Sequence, residues 1–169
     1  MPANIEIKAR VADPEALLAR ARALASAGPE TIMQTDTFFQ IPEGRLKVRE
    51  FTDGSGELIF YRRPDAAGPK TSEYAISRTA DGLALRELLA AALPVRGVVR
   101  KKRLLLLAGR TRIHLDQVEG LGSFMELEVV LTGGEDPKEG EEEAAGLMKS
   151  LGIAPADLVQ GAYIDMLAK

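Results

Sequence analysis

The chain has 169 residues, of which 46% are hydrophobic and 28% are charged, and its formal net charge is −3. These values predict one soluble globular domain over residues 1–169, long enough to bury a core. The absence of cysteine excludes disulfides, thiolate metal sites and cysteine nucleophiles, and a single histidine cannot form a site of several imidazoles. Any metal site is therefore expected to use carboxylates, which favours Mg²⁺ or Mn²⁺.

No apolar segment approaches the roughly 20 residues needed to cross a bilayer, and residues 1–10 lack the apolar region of a signal peptide. We therefore expect a cytoplasmic protein without a membrane partner. The aromatic content is only 5% and tryptophan is absent, which argues against a surface that stacks nucleic-acid bases. We expect no nucleic-acid partner.

Charge is divided unevenly along the chain. Residues 45–112 contain 15 Lys or Arg and 7 Asp or Glu, a net charge of +8. Residues 1–44 contain 4 Lys or Arg and 6 Asp or Glu, a net charge of −2. Residues 113–169 contain 3 Lys or Arg and 12 Asp or Glu, a net charge of −9. A basic middle segment in an acidic protein predicts a specific binding site for a polyanion.

The first half of the chain alternates strands with one helix. Residues 4–11 alternate polar and apolar side chains, which predicts a strand. Asp13-Pro14 then supplies a helix N-cap and a first-turn proline, and Gly28-Pro29 is expected to end that helix. Four further strands are predicted, separated by turn sequences such as Asp53-Gly54, over residues 31–40, 45–51, 57–63 and 71–78.

The second half predicts a helix over 81–94, a strand over 98–107 and a β-hairpin over 110–131 that turns at a glycine-containing segment. Two helices, over about 138–151 and 155–168, complete the chain. Hairpins throughout indicate an antiparallel α+β domain. Eight strands are a number that can close into a barrel with a ligand-sized interior.

Ionisable residues share one face of nearly every predicted strand. An open antiparallel sheet with one solvated face produces the same alternation. Here, however, arginine and carboxylates dominate that face, and the signs are sorted, with basic strands in the middle and carboxylates on the first and last strands. A triphosphate carrying Mg²⁺ needs this arrangement, because cations bind phosphate oxygens and carboxylates hold the metal.

Several motifs on these strands belong together. Asn4-Ile-Glu6-Ile-Lys8 resembles the N-terminal E-x-E-x-K signature of the CYTH superfamily, the triphosphate tunnel metalloenzymes. Further segments fall where that family has basic strands, a hairpin and an E-x-E strand: Leu46–Arg49, Val99–Arg103, Leu115-Asp116, Gly120–Phe124 and Glu126–Glu128. The resemblance covers essentially the whole chain and implies an eight-stranded antiparallel β-barrel, a tunnel with a polar lumen flanked by helices.

The resemblance also implies residue roles. It assigns one or two Mg²⁺ or Mn²⁺ ions to Glu6, Glu126 and Glu128, joined by Asp116, and catalytic roles to Lys8, Glu6 and Asp116. Phosphate binding falls to a basic set, in which Arg62 and Arg63 both fit one position before Pro64: Lys8, Lys47, Arg49, Arg62, Arg63, Lys101, Arg103 and Arg112. Asn4 departs from the signature, which has glutamate there, and brings no charge to a second metal.

Three functions share these residues. The chain's length and hairpin sequence resemble class IV adenylyl cyclases, which convert ATP to cyclic AMP and pyrophosphate. The alternatives are a triphosphatase acting on tripolyphosphate, thiamine triphosphate or a nucleoside triphosphate, and a non-catalytic polyphosphate- or nucleotide-binding module, suggested by Asn4. The resemblance also suggests a homodimer.

Two further residues on these strands have alternative roles. His114, beside Arg112 and Asp116 on one face, is interpreted as a structural hydrogen-bonding group or as a proton carrier in the lumen. Asp36 is interpreted as a water-facing residue near a turn or as a residue at the tunnel mouth.

Overall fold

The computed structural model describes residues 1–168. The strands are β1 (Ala3–Arg10), β2 (Ala27–Phe39), β3 (Arg45–Phe51), β4 (Gly56–Arg62), β5 (Lys70–Thr79), β6 (Val95–Ala108), β7 (Thr111–Val118) and β8 (Gly122–Val130). The helices are α1 (Pro14–Leu24), α2 (Gly82–Ala92), α3 (Pro137–Ser150) and α4 (Tyr163–Leu167), with a 3₁₀ turn over Pro155–Asp157.

The eight strands form one closed barrel in the order β1-β5-β4-β3-β2-β6-β7-β8. Every neighbouring pair is antiparallel, and β1 closes the barrel on β8 from the pair Asn4–Val130 to the pair Arg10–Phe124. The predicted α+β class and the closed eight-stranded tunnel are confirmed. Because side chains alternate along each strand, closure sends one face of every strand into the barrel and the other toward the helices.

Local sequence explains where the helices begin. Asp13, Asp81 and Asp136 each cap a helix N-terminus by accepting a backbone N–H bond of 3.0 to 3.1 Å. These bonds satisfy donors that the first helical turn leaves free. Within residues 1–168, none of the helices combines the length and the apolar character needed to span a bilayer.

The main apolar core lies outside the barrel wall. Ile5, Ile7, Ile113 and Leu127 point outward and pack with residues of α1 and α3, such as Leu17. A second cluster, formed by Phe38, Val99, Phe124, Tyr163 and Ile164, closes one end of the barrel. The barrel interior is thereby left to polar side chains.

The C-terminal prediction of one helix over 155–168 is wrong. Residues 158–162 are not helical, and Val159 donates its backbone N–H to the Lys8 carbonyl at 3.0 Å. Gly161 adopts a φ of 76°, a left-handed conformation that interrupts helical hydrogen bonding. The segment follows β1 across the barrel end, and only Tyr163–Leu167 is helical.

Two smaller predictions also need correction. β2 begins at Ala27 rather than at residue 31, because Ala27 already pairs with Leu107 of β6. The helical pattern over 81–94 also predicts an apolar stripe that includes Leu88, but Leu88 is 66% exposed. Gly82 is the one buried residue of α2, so this helix covers the barrel with its first turn and leaves Leu88 in solvent.

Leu127→Ala should destabilise the fold by about 2–5 kcal/mol, because it opens a cavity between the barrel wall and the helices. Leu127 is fully buried, whereas Leu88 is largely exposed, so Leu88→Ala should change the free energy of unfolding by about 0.5 kcal/mol or less. Urea unfolding of the two variants tests this contrast. Equal effects would contradict the described core.

Candidate active site

Inward-facing side chains line a cavity of about 270 Å³ in the barrel. One end is closed by Ala162 and Tyr163, which are buried. The other end is open and carries Ile32, Phe51 and Ile76, which are half-buried or exposed. Ligand pockets commonly measure about 300–1,000 Å³, so the enclosed space suits a compact ligand that enters from one side.

Most of the predicted site residues meet in this cavity. Ten of them line it: Glu6, Lys8, Lys47, Arg49, Arg63, Lys101, Arg103, Arg112, Glu126 and Glu128. Asp116 and Arg62 are not among the cavity-lining residues. The barrel therefore concentrates positive and negative groups that are distant in the sequence.

Asp36 organises the basic side of the cavity. Its carboxylate accepts two hydrogen bonds from Arg49, at 2.8 and 2.9 Å, and one from Lys47 at 2.9 Å, while Lys101 Nζ lies 3.5 Å away. Burial would raise the pKa of Asp36, but Arg49, Lys47 and Lys101 hold it well below its usual range. The site is thus built on a buried carboxylate that fixes three cations.

The main interpretation of Asp36 as a water-facing residue is wrong, since it is almost fully buried. The sequence contains a signal for this placement. Gln34, Asp36 and Phe38 share one face of β2, and all three line the cavity. Extending the alternation to β2 would have placed Asp36 in the lumen.

The carboxylate of Asp116 is paired with Arg103. Arg103 donates to both of its carboxylate oxygens at 2.8 Å, and the Tyr163 hydroxyl donates to Oδ2 at 2.9 Å. Burial opposes ionisation of Asp116, yet Arg103 lowers its pKa to about 2. Asp116 is therefore paired with Arg103 and is not among the cavity-lining residues, and its predicted roles as a metal ligand and catalytic group stay predictions.

Arg63, and not Arg62, reaches the cavity. Arg63 donates to Glu6 at 2.6 Å and to the Gly161 carbonyl at 3.0 Å. Arg62 is exposed on the outside of β4 beside the Phe60 ring. Since successive side chains alternate across the sheet, only one of two adjacent arginines can face inward, and the prediction for Arg62 is wrong.

Two lysines at the closed end have weakened proton affinity. Lys8 Nζ donates to the Gly161 carbonyl at 3.1 Å and lies 4.1 Å from the centre of the Tyr163 ring. Burial lowers the pKa of Lys8 to about 8, even though Glu126 acts in the opposite direction. Burial and the charge of Arg103 lower the pKa of Lys101 to about 7. Burial is the first cause for both lysines, since Glu126 and Asp36 lie only 3.8 and 3.5 Å from Lys8 and Lys101 and act in the opposite direction.

The carboxylates form a separate group on β8. Glu126 Oε1 lies 3.8 Å from Lys8 and 3.7 Å from Arg103, and Glu128 Oε2 pairs with Arg112 at 2.8 Å. Burial would raise the pKa of Glu126, but Lys8, Arg103 and Lys101 keep it well below its usual value. One oxygen of each carboxylate and a nitrogen of His114 lie within 4.8 Å of one another, which is close enough to hold one cation.

Of the residues predicted to hold metal, Glu126 and Glu128 come together. Glu6 is paired with Arg63 and lies outside this group. His114, which the sequence analysis did not assign to a metal, joins them. Burial and Arg103 lower the pKa of His114 to about 4, so its imidazole is neutral at physiological pH.

Comparison with known families decides the identity of the fold. The CYTH domain model matches residues 2–163. The chain belongs to the CYTH family. The resemblance inferred from the strand motifs is therefore confirmed.

Solved structures support this CYTH assignment. A Pyrococcus horikoshii protein is 25% identical, with 96% of this chain and 98% of that chain covered and a TM-score of 0.84. A candidate adenylate cyclase from Vibrio parahaemolyticus is 20% identical, with 98% of both chains covered and a TM-score of 0.83. A candidate adenylyl cyclase from Hippeastrum, reported to have a dominant triphosphatase activity, is 18% identical, with 98% and 95% covered and a TM-score of 0.70.

No curated protein matches the sequence at a significant level. The solved structures below 25% identity support the fold alone.

Asp116→Asn should lower the free energy of unfolding at pH 7 by about 3–5 kcal/mol, because it leaves Arg103 buried without its counter-charge. The folded-state pKa of about 2 lies below the unfolded value of 3.8. The stabilisation is therefore present above pH 3.8 and is lost as the pH falls through about 2. Denaturant unfolding should show a large difference in the free energy of unfolding between variant and wild type at pH 7. At pH 2.5 this difference should be smaller.

Asp65→Asn is the control, because Asp65 pairs with Arg45 but its side chain is 58% exposed. Its effect should stay below about 1 kcal/mol at both pH values. A difference for Asp116→Asn that did not narrow in acid would contradict the described ion pair.

Proposed function

We propose that this CYTH protein is a metal-dependent enzyme that binds a triphosphate inside the barrel and transfers a phosphoryl or nucleotidyl group. One observation carries the proposal. A one-ended cavity holds cations fixed by Asp36 and Asp116 together with a neighbouring carboxylate pair, Glu126 and Glu128. Catalysis of phosphoryl transfer depends mainly on such positioning and charge stabilisation.

The cations suit a polyphosphate chain. Arg49 and Arg103 are each held by two hydrogen bonds to a carboxylate, so their remaining N–H groups have fixed directions. Lys8, Lys47 and Lys101 add compact charges near the closed end. A cavity of about 270 Å³ accommodates phosphates, which leaves the organic group of the substrate against the apolar residues of the open end.

Glu126 and Glu128 fit a divalent ion, since each directs one oxygen toward a common point. Carboxylate oxygens suit Mg²⁺ and Mn²⁺. A divalent ion bound there would neutralise charge on the phosphate oxygens. The protein's own contribution is to fix the two carboxylates, through Arg112 on Glu128 and through Lys8 and Arg103 near Glu126.

The depth of these groups favours chemistry at the α-phosphorus. The side chains of Lys8 and Lys101 are 4% and 3% exposed, whereas those of Glu126 and Glu128 are 11% and 16% exposed. Glu126 lies opposite Lys8 across β1 and β8, whereas Glu128 lies opposite Glu6, two residues nearer the open end. A triphosphate whose terminal phosphate lies deepest would therefore place its α-phosphate beside Glu128. We therefore propose the class IV adenylyl cyclase reaction, in which the ribose 3′-oxygen bonds to the α-phosphorus, its proton is released and the bond to the leaving pyrophosphate breaks.

Hydrolysis is the second candidate, and Lys8 supports it. With a pKa of about 8, Lys8 is partly neutral in mildly alkaline solution and is able to accept a proton from water attacking the terminal phosphorus. The Hippeastrum protein, which is similar in fold, is reported to have a dominant triphosphatase activity. A binding module without turnover is the third candidate, because buried Asn4 brings no charge to the signature position.

Product analysis separates these functions. The protein should be incubated with ATP, thiamine triphosphate and tripolyphosphate, each with Mg²⁺ and with Mn²⁺. We expect cyclic AMP and pyrophosphate from ATP. Release of orthophosphate would favour the triphosphatase instead, and tight binding without turnover would favour the binding module.

Glu126→Gln should reduce turnover at least about 100-fold while the fold is kept, because the amide removes one negative charge from the metal side. Glu142→Gln, on the exposed face of α3, is the matched control and should be as active as wild type. Circular dichroism and steady-state rates measure both effects. Full activity of Glu126→Gln would refute the proposed metal site.

Tripolyphosphate affinity should fall as the pH rises above about 7. Lys101 has its pKa lowered to about 7 in the free protein, so it is charged below this pH and increasingly neutral above it. Binding of an anion to the charged form must then take up a proton, at a growing free-energy cost as the pH rises. Isothermal titration calorimetry from pH 6 to 9, in two buffers of different ionisation enthalpy, counts the protons taken up.

Lys101→Arg should remove part of this pH dependence, because arginine stays charged. Lys102→Arg, on the outward face of the same strand, should keep it. Ionisation of tripolyphosphate itself is common to all three proteins and cancels in the comparison. Identical pH profiles for wild type and Lys101→Arg would exclude the role of Lys101.

A further inference from the structure

His114 is a buried group that the proposed chemistry has not used. The residue is 4% exposed, and its Nδ1 atom has no hydrogen-bond partner among the described residues. A buried polar atom without a partner costs roughly 1–3 kcal/mol. Such an atom, facing a cavity, is expected to be satisfied by a bound ion or an ordered water.

The surroundings of Nδ1 are acidic on two sides. Glu126 Oε2 lies 4.0 Å from it and Glu128 Oε1 lies 3.9 Å from it. The other oxygen of each carboxylate has a different neighbour, since Glu126 Oε1 lies near Lys8 and Arg103 and Glu128 Oε2 pairs with Arg112. The nitrogen without a partner therefore meets the carboxylate oxygen of each glutamate that faces away from the cations.

These separations are too long for hydrogen bonds, which reach about 3.2 Å. They are suitable for two ligands of one ion. With ligand distances of about 2.0–2.1 Å, as for Mg²⁺, two ligands on one ion lie up to about 4.2 Å apart. A cation placed between the three atoms would give Nδ1 the partner that it lacks.

We propose that His114 Nδ1 is a third protein ligand of the cation held by Glu126 and Glu128. The site is then a mixed nitrogen and oxygen site that prefers a first-row transition ion such as Mn²⁺ over Mg²⁺. Imidazole suits Fe, Ni, Cu and Zn most, and carboxylates suit Mn²⁺. Mg²⁺ favours oxygen ligands alone and retains several waters, so a nitrogen ligand added to two carboxylates shifts the site from Mg²⁺ toward Mn²⁺. This inference rests on the metal site of the proposed function and adds its selectivity.

The chain offers an unambiguous probe, because it contains one histidine. Untagged protein, prepared with ¹⁴N-histidine or ¹⁵N-histidine, is loaded with one equivalent of Mn²⁺ and measured by electron spin-echo envelope modulation. We expect nitrogen coupling to the manganese spin that changes with the isotope. Bound Mn²⁺ without this coupling would overturn the inference and leave the carboxylate metal site intact.

Failure of the proposed metal site has a different signature. If wild-type protein binds no Mn²⁺, or if Glu126→Gln binds it as tightly as wild type, the ion does not use these carboxylates. Both the proposed metal site and the role of His114 would then be refuted. Both measurements are of binding and do not depend on turnover. The two failures are therefore distinguishable.

His114→Gln replaces the ring nitrogen with an amide group, whose oxygen suits Mg²⁺ as well as Mn²⁺. The ratio of Mn²⁺ to Mg²⁺ affinity, from calorimetric titration, should fall by about tenfold or more. Gln34→Ala changes another buried cavity residue and should leave the ratio within roughly twofold of wild type. An unchanged ratio in His114→Gln, in protein that retains its thermal unfolding transition, would overturn the proposed selectivity.

Discussion

Charge compensation inside a closed barrel is the constraint on which the rest of this structure depends. Closure brings ionisable side chains from several strands into one confined space, where unpaired charges are strongly disfavoured. Two buried carboxylates compensate two arginines: Asp36 accepts two hydrogen bonds from Arg49, and Asp116 accepts two from Arg103. The arginines are thereby fixed in direction before any ligand arrives, which is the form of preorganisation that electrostatic catalysis uses.

Burial in the barrel also weakens the proton affinity of two lysines. Lys8 and Lys101 remain near the closed end with pKa values lowered to about 8 and about 7 by burial. The carboxylates of Glu126 and Glu128 lie beside His114, and Glu126 also lies 3.8 Å from Lys8. An anion at the lysines and a cation at the carboxylates would each relieve a local imbalance, and a triphosphate with a divalent ion supplies both together.

The C-terminal segment determines which end of the cavity is closed. The Gly161 carbonyl accepts hydrogen bonds from Lys8 and Arg63, and Tyr163 packs against Phe124 and bonds to Asp116. Asp165 forms ion pairs with Arg45 and Arg96 at the start of two barrel strands. These contacts close one end of the barrel, so a ligand enters from the end that carries Phe51 and Ile76.

The sequence by itself determined the alternation of faces on the strands, the hairpin turns and the sorting of charge between strands. Those features, together with the resemblance of the strand motifs to the CYTH family, were sufficient for the barrel and for ten of the cavity-lining site residues. A period of two assigns each side chain to one face, and the resemblance implied that this face is the inside of a barrel. Only the tertiary structure decided which residues are partners across the lumen. It joined Asp36 to Arg49 and Lys101, joined Asp116 to Arg103, and chose Arg63 over Arg62. It also placed His114 between two glutamates. The physical reason is that the face of a side chain is set by its own strand, whereas its partners depend on strand register and barrel closure. They also depend on the C-terminal segment, which contacts β1 although the two are more than a hundred residues apart in the sequence.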